Sequence, residues 1–472
     1  GGALGLVVAF WGLRALVAIA PPSLPRIASV ALDARAFAIA ATIACGVGIL
    51  MGIYPVLRRG MADPGQSLRA SSRSTTGGRA AARRRAMFIA AQVAIGTVLL
   101  VATGLFVASL VRVLGVDRGF DSEHVLAMDF SLPGTRYDDA TRVSQYYDLV
   151  TARAAAVPGV RSVAITNGMP LEGETWLDGI APAEHRGDQD RYVSANLRFV
   201  TPGYLATVGT ALRRGRDIAA ADRANPNVAV VSERVARTFW PGEDPVGKLI
   251  AAGPRREIKQ VIGVAADVRS ARLEDEPTML VYLPTWLAPQ WSSTLLVRAA
   301  GEPEALVPSL RSALREVDAT VPVPKVRTTR DIVSVAVAVR RFQVALLLLL
   351  AAMAFVTASV GIYGVIAQSL AGRRGEIGVR LALGARHGHV YRLVFREGLV
   401  PVAVGLVIGV GVALALGKLV ASQLYAVRPG DPMTLATVIL LLGGVAVVAC
   451  AIPARRATAT GLRTLLRFEC VE

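Results

Sequence analysis

Six stretches of this chain carry almost no polar positions: residues 1–20, 36–57, 86–111, 342–371, 399–417 and 435–452. About 20 apolar residues in a helix cross a ~30 Å hydrocarbon layer, so each stretch predicts a transmembrane helix. Residues 117–339 hold no such run and alternate strand-like and helix-like patterns instead. A strand is predicted at 125–132, a helix at 139–156 and a strand at 160–166; the same order returns at 294–299, 303–317 and 321–326. Two β-α-β units of this size predict a split, ferredoxin-like sandwich. Between them, a strand at 228–232, a helix at 233–239, a turn at 240–245 and a strand at 258–267 predict a smaller inserted subdomain. The expected fold class is a multi-pass α-helical membrane protein with an α/β extracytoplasmic domain.

Composition agrees with the pattern. Of 472 residues, 53% are hydrophobic and 18% charged, against about 25% charged in ordinary soluble domains. The net charge of +17 raises the question of a nucleic-acid partner. Its distribution answers it: residues 117–339 hold 26 Lys/Arg and 28 Asp/Glu, and the remainder holds 26 and 7. The basic excess therefore sits in the short connections between apolar runs, not on a folded surface interleaved with aromatics. No nucleic-acid partner is expected. Residues 58–85 carry eight arginines, 373–396 carry six and the tail after Pro453 four, against seven basic residues on the opposite side. This asymmetry predicts both ends in the cytosol and 112–341 outside it.

Residues 55–69 and 453–467 align at an offset of 398, with Pro55, Arg58, Leu68 and Arg69 on Pro453, Arg456, Leu466 and Arg467; Asp33 falls on Asp431. The two helical pairs read as related copies. The expected organisation is the last two helices of a first module (1–57), a basic linker (58–85), a helix (86–111), the extracytoplasmic domain (112–341), a helix (342–371), a cytoplasmic segment (372–398), two further helices (399–452) and a tail (453–472). The abrupt start without a basic leader suggests a C-terminal fragment of a longer protein. Residues 67–85, rich in Ser, Thr, Gly and Arg, read as a flexible linker near anionic headgroups. Cys45, Cys450 and Cys470 make no disulfide framework.

Catalytic constellations are missing from these 472 residues. The Gly-Lys pairs at 247–248 and 417–418 are each followed by Leu, so neither is a phosphate-cradling P-loop. His387 and His389 are spaced i, i+2, which does not bring two ligands together on a helix. Glu274, Asp275 and Glu276 read as a solvated turn, and Glu172 and Glu174 beside Trp176 as surface carboxylates. Arg14 inside the first run reads as a snorkelling side chain. No catalytic residue, bound cofactor or metal is expected.

The informative stretch is 373–386, Arg-Arg-Gly-Glu-Ile-Gly-Val-Arg-Leu-Ala-Leu-Gly-Ala-Arg. Ile377 and Leu381, like Val379 and Leu383, are spaced i, i+4 and give a short helix an apolar side. Glu376 and Arg380 make an i, i+4 pair in the favourable order, and Gly384 is placed to end the helix. With no further information this is a basic amphipathic segment on anionic lipid. The run Glu376–Arg386, followed by Arg396-Glu-Gly-Leu, resembles the signature of MacB/FtsX-type ABC transporter permeases, most of all the duplicated orphan permeases. Val200-Thr-Pro-Gly-Tyr204, Arg214-Gly-Arg-Asp217, the stretch from Phe239 to Lys248 and that from Leu424 to Pro432 agree with it. The resemblance implies a permease that is not itself an ATPase. Ile377, Leu381 and Leu383 would dock into a separate ATP-binding cassette subunit, which would use ATP and Mg. Glu376 and Arg380 would set the orientation; Arg373 and Arg374 would face that subunit or lipid headgroups; and Gly384 would end the docking helix. It implies export of amphipathic or antimicrobial compounds with a periplasmic adaptor or cargo as a further partner, or else control of a cell-wall hydrolase.

Overall fold

Residues 115–338 form one unit, and the helices on either side of them in sequence form another. The computed structural model describes residues 2–21, scattered positions between 35 and 49, and residues 76–121, 123–323, 325–371 and 387–468.

Both predicted β-α-β units are present. Strand β1 (Val125–Ser131), helix α3 (Ala140–Ala155) and β2 (Val160–Thr166) make the first; β10 (Ser292–Ala299), α6 (Val307–Val317) and β11 (Lys325–Thr328) make the second. α3 starts where Asp139 accepts a hydrogen bond from the Arg142 amide at 2.8 Å, and its buried positions Val143, Tyr146, Tyr147, Val150 and Ala154 follow helical spacing. β1 pairs antiparallel with β10 (Val125↔Arg298 to Ser131↔Ser292) and with β11, and β10 pairs with β2. A strand of each unit thus separates the two strands of the other, the arrangement of a split β-α-β sandwich. Leu126, Met128 and Phe130 of β1, Leu295 and Val297 of β10, Tyr146 and Tyr147 of α3, and Leu310 and Leu314 of α6 share one core.

β11 begins four residues later than expected. Pro322 lacks the N–H that a ladder requires, and Val321 is buried in the helix-side core, its amide in a turn to the Asp318 carbonyl.

The inserted region holds more strands than its sequence suggested. β4 (Val193–Val200) pairs with β3 (Leu177–Pro182), β3 with β7 (Leu249–Ala252), β7 with β8 (Glu257–Ala265), β8 with β6 (Val228–Ser232), β6 with β9 (Leu280–Pro284), and β9 returns to β4. Six strands therefore close on themselves, which removes open edges. Leu197, Phe199, Val231, Ile250, Val261, Val281 and Leu283 fill the interior. A short strand, β5 (Leu212–Gly215), adds to β8, and a single pairing, Thr166↔Val200, joins this ring to the sandwich.

In the helical unit, α1 spans Gly2–Ile19, α2 Thr76–Leu114, α7 Thr329–Ala371, α8 His387–Leu419 and α9 Pro432–Phe468. Among the described residues, the segments Arg83–Leu114, Thr329–Gln368, Gly398–Leu419 and Pro432–Ile452 are long and apolar enough to cross a membrane. The predicted run 36–57 lies mostly outside the described residues. α2 starts ten residues before its predicted apolar run, so 76–85 is helix and not linker. Its Arg- and Ala-rich composition favours helix even where it is too polar for hydrocarbon.

α8 packs along α2 at Gly405 and Gly409. A Cβ on Gly405 would lie 2.5 Å from the Ala90 carbonyl oxygen, and one on Gly409 2.6 Å from the Thr97 Cβ. This is close packing through small residues, as membrane helices favour. α7 meets α2 where Gln92 Nε2 donates to the Thr357 carbonyl at 2.9 Å and Thr103 Oγ1 to the Leu347 carbonyl at 3.1 Å. Beyond the other end of α8, Ser109 Oγ of α2 accepts from the Tyr425 amide and from Arg340 Nη1, both at 2.9 Å, while Arg112 donates to the Ala426 carbonyl. Asp431 caps α9 through the Thr434 amide and hydroxyl at 3.0 and 2.8 Å.

Candidate functional site

The candidate docking residues Arg373, Arg374, Glu376, Ile377, Arg380, Leu381, Leu383 and Gly384 all lie outside the described residues. What is described is the pair of helices that bracket them: α7 ends at Ala371, and α8 begins at His387.

α7 is the long element of this site. Its 43 residues run without a break, a length of about 65 Å at 1.5 Å per residue. Its first turn is fixed by a reciprocal cap: the Thr328 amide and hydroxyl both donate to Asp331 Oδ2, at 3.0 and 2.8 Å, and Thr328 Oγ1 accepts from the Asp331 amide at 3.1 Å. Thr329 Oγ1 donates to the Val125 carbonyl of β1 at 3.2 Å. Just before the cap, Arg327 reaches Asp129 Oδ2 of β1 at 2.5 Å and also pairs with Glu172. Asp129 is held in turn by the Thr294 hydroxyl of β10, 2.8 Å away. Strands β1, β10 and β11 and the loop carrying Glu172 thus converge on the first turn of the helix that leads to residue 371.

The comparisons bear on the same two parts of the chain. Residues 87–317 match the MacB-like periplasmic core domain, and residues 348–462 match the FtsX-like permease C-terminal domain. The chain belongs to the MacB/FtsX-type permeases. It is a membrane protein with an extracytoplasmic segment. It is 26% identical over 383 residues to a macrolide export ATP-binding/permease protein MacB of Rhodopseudomonas palustris, covering 75% of this chain and 54% of that one. To a probable syringafactin export ATP-binding/permease protein of Pseudomonas syringae it is 26% identical over 275 residues, 55% of this chain and 41% of that one. The chain spans about half the length of such relatives. The solved periplasmic region of MacB from Actinobacillus actinomycetemcomitans is 14% identical with a TM-score of 0.33, over 47% of this chain and 96% of that one.

Three of the stretches that carry the family resemblance, 200–204, 214–217 and 239–248, lie in the extracytoplasmic unit and help to hold its fold. Thr201 Oγ1 accepts the Ile165 amide at 2.7 Å; Gly203 has φ +81°, which frees the chain to start the short helix α4 (Tyr204–Val208). Gly215 lies against the Ile262 carbonyl, where a Cβ would fall 2.2 Å from the oxygen. In the turn after helix α5 (Glu233–Phe239), Asp244 accepts the Val246 amide at 3.1 Å and Lys248 pairs with Glu243 at 2.7 Å.

Arg216 donates to both Asp222 oxygens at 2.8 and 2.7 Å. This guanidinium holds the Asp222 carboxyl below its ordinary 3.8, against the opposing effect of burial. The sign follows: the stabilisation is complete above the unfolded value and is lost as pH falls through the lowered folded one. Unfolding measured against pH should show Asp222→Asn less stable than the parent above pH 3.8, with the gap closing in acid. A gap independent of pH would contradict the pairing.

Glu172, read as a surface carboxylate, is the partner of Arg327. The acidic run 274–276 sits at a turn as expected, with Asp275 and Glu276 exposed, and two of its members are ion-paired: Glu276 meets Arg234 at 2.8 Å and Glu274 meets Arg272 at 3.6 Å. Arg14 lies over the Phe10 ring at 4.4 Å, a cation–π contact within its own helix. Sequence reasoning passed over Asp129, Arg327 and Asp331, although Thr328-x-x-Asp331 before an apolar run is a legible capping signal.

Proposed function

We propose that this chain is the permease part of an ATP-driven export system and transmits motion from an ATPase to its extracytoplasmic unit. The unbroken α7, capped and ion-paired into the α/β unit at one end and described as far as Ala371, two residues before Arg373, at the other, carries this reading. A helix converts displacement at one end into displacement at the other only if it does not bend, and Thr329–Ala371 contains no proline. In this reading 372–386 faces the cytosol, and Ile377, Leu381 and Leu383 fill a groove on an ATP-binding cassette subunit. Glu376 and Arg380 orient the helix, Arg373 and Arg374 meet the ATPase or headgroups, and Gly384 ends it. ATP and Mg belong to the partner.

The bundle favours transmission over passage through its middle. Among the described residues, every buried charged side chain lies in the α/β unit, while the Thr97 hydroxyl donates to the Val93 carbonyl at 2.8 Å and the one Thr103 hydroxyl proton is shared between the Leu99 and Leu347 carbonyls, 2.7 and 3.1 Å away. Cargo, an amphipathic or antimicrobial compound, would then be handled outside the bilayer with a periplasmic adaptor. Control of an extracytoplasmic cell-wall hydrolase is the second reading, which capture of a hydrolase by the α/β unit of the intact protein would favour.

Ile377→Asp and Leu381→Asp together should abolish co-purification of the ATPase while membrane insertion persists. Two buried leucine-sized anchors are worth about 3–6 kcal/mol, enough to lower affinity by a factor of a hundred or more. Undiminished co-purification would refute the docking role.

A further inference from the structure

A groove of about 560 Å³ runs along the helical unit between α7 and α9. Ser359, Val360 and Tyr363 line it from α7, and Gly444, Val448 and Ile452 are among the residues lining it from α9. On α9 its residues run from Leu441 to Ile452, about 16 Å along a helix and so about half of a ~30 Å hydrocarbon core. Ile452 is the last residue of the apolar span, and the groove therefore extends from mid-membrane to one interface.

Its chemistry is that of hydrocarbon. Val360 and Val448 stand 65% and 58% exposed as its walls, and among the described residues no atom lies within 4 Å of a Cβ position on Gly444. The Ser359 hydroxyl donates its proton to the Phe355 carbonyl at 2.7 Å and so offers no donor to a polar guest. A transmembrane helix from a partner would call for a seam crossing both leaflets; this groove is one leaflet deep. Arg455, exposed, follows Ile452 by three residues, the spacing that keeps it on the same face of α9. It stands just past the apolar span, where a headgroup phosphate would lie.

We propose that this groove binds one acyl chain of an anionic phospholipid, with Arg455 holding the headgroup phosphate. The site requires only that α7 and α9 reside in a membrane; it does not depend on ATPase docking, and the assay below contains no ATPase.

The full chain is reconstituted in phosphatidylethanolamine vesicles containing phosphatidylglycerol with a diazirine in its acyl chain, and adducts are mapped after illumination. Adducts should concentrate on 359–363 and 441–452 relative to Val407, which is 74% exposed on α8. Gly444→Leu has space for its side chain and should fold. It should lower groove labelling about tenfold, the loss expected from displacing two methylenes. Arg455→Gln should reduce phosphatidylglycerol labelling to the level given by the matched phosphatidylcholine probe. Equal labelling at Val407, labelling indifferent to Gly444→Leu, or a cross-link from the groove to a second polypeptide would each overturn the proposal.

Discussion

Gly409→Leu is expected to prevent α8 from seating on α2, with the helical unit losing its cooperative unfolding transition. The Cβ alone would meet the Thr97 Cβ at 2.6 Å and the Ala94 carbonyl oxygen at 2.8 Å, and a leucine adds three more carbons in the same space. One of those neighbours is backbone and cannot rotate away. Overpacking costs typically about 1–3 kcal/mol in water-soluble cores. In hydrocarbon, no solvent-exclusion term compensates for a lost close approach, so the helices separate more readily. Gly411 supplies the control, since among the described residues no atom lies within 4 Å of its Cβ position; Gly411→Leu should leave the transition unchanged. Thermal unfolding of both variants in detergent measures the contrast, and equal midpoints would show that α8 does not pack as described.

The second large effect is expected at the root of α7. Arg327→Met should remove the partner of both Asp129 and Glu172, whose side chains are 30% and 28% exposed. Exposed ion pairs contribute about 0–1 kcal/mol and breaking buried ones costs about 3–5, so these half-buried pairs place the loss near 2–3 kcal/mol. Arg327→Lys should recover only part of it, because an ammonium cannot span two carboxylates as a guanidinium fork does. Hydrogen exchange should quicken in β11 and in the loop around Glu172, and the effects of Arg327→Met and Glu172→Gln should be less than additive. Full additivity would mean that the two side chains do not interact.

Much of the architecture is legible before any coordinates, because long apolar runs and β-α-β patterning depend on local sequence. The closed ring of strands is not. β4 is buried from Ala195 to Val200, so apolar and polar positions do not alternate along it, and Arg198 within that run is fully buried. β3, β5 and β7 have six, four and four residues, too few to establish a period. The start of β11 is hard to read because Val321 and Val323 look strand-like until the missing N–H of proline is weighed. The capping signal at Thr328 and Asp331 is legible, but nothing in sequence brings Asp129 and Glu172 to Arg327; pairing of β1 with β11 brings the first, and the course of the loop between β2 and β3 brings the second. The amphipathic spacing at 377–383 is likewise sequence information, and its docking role stands on the family resemblance.

Orientation is the premise of the whole mechanism, and single-cysteine accessibility in intact cells tests it. With Cys45, Cys450 and Cys470 replaced by serine, Asp190→Cys marks an exposed turn of the α/β unit and Ala385→Cys marks the docking segment. A membrane-impermeant maleimide should modify residue 190 in intact cells and residue 385 only after permeabilisation. Modification of 385 in intact cells with 190 protected would place the two parts on the wrong sides of the membrane and contradict the account.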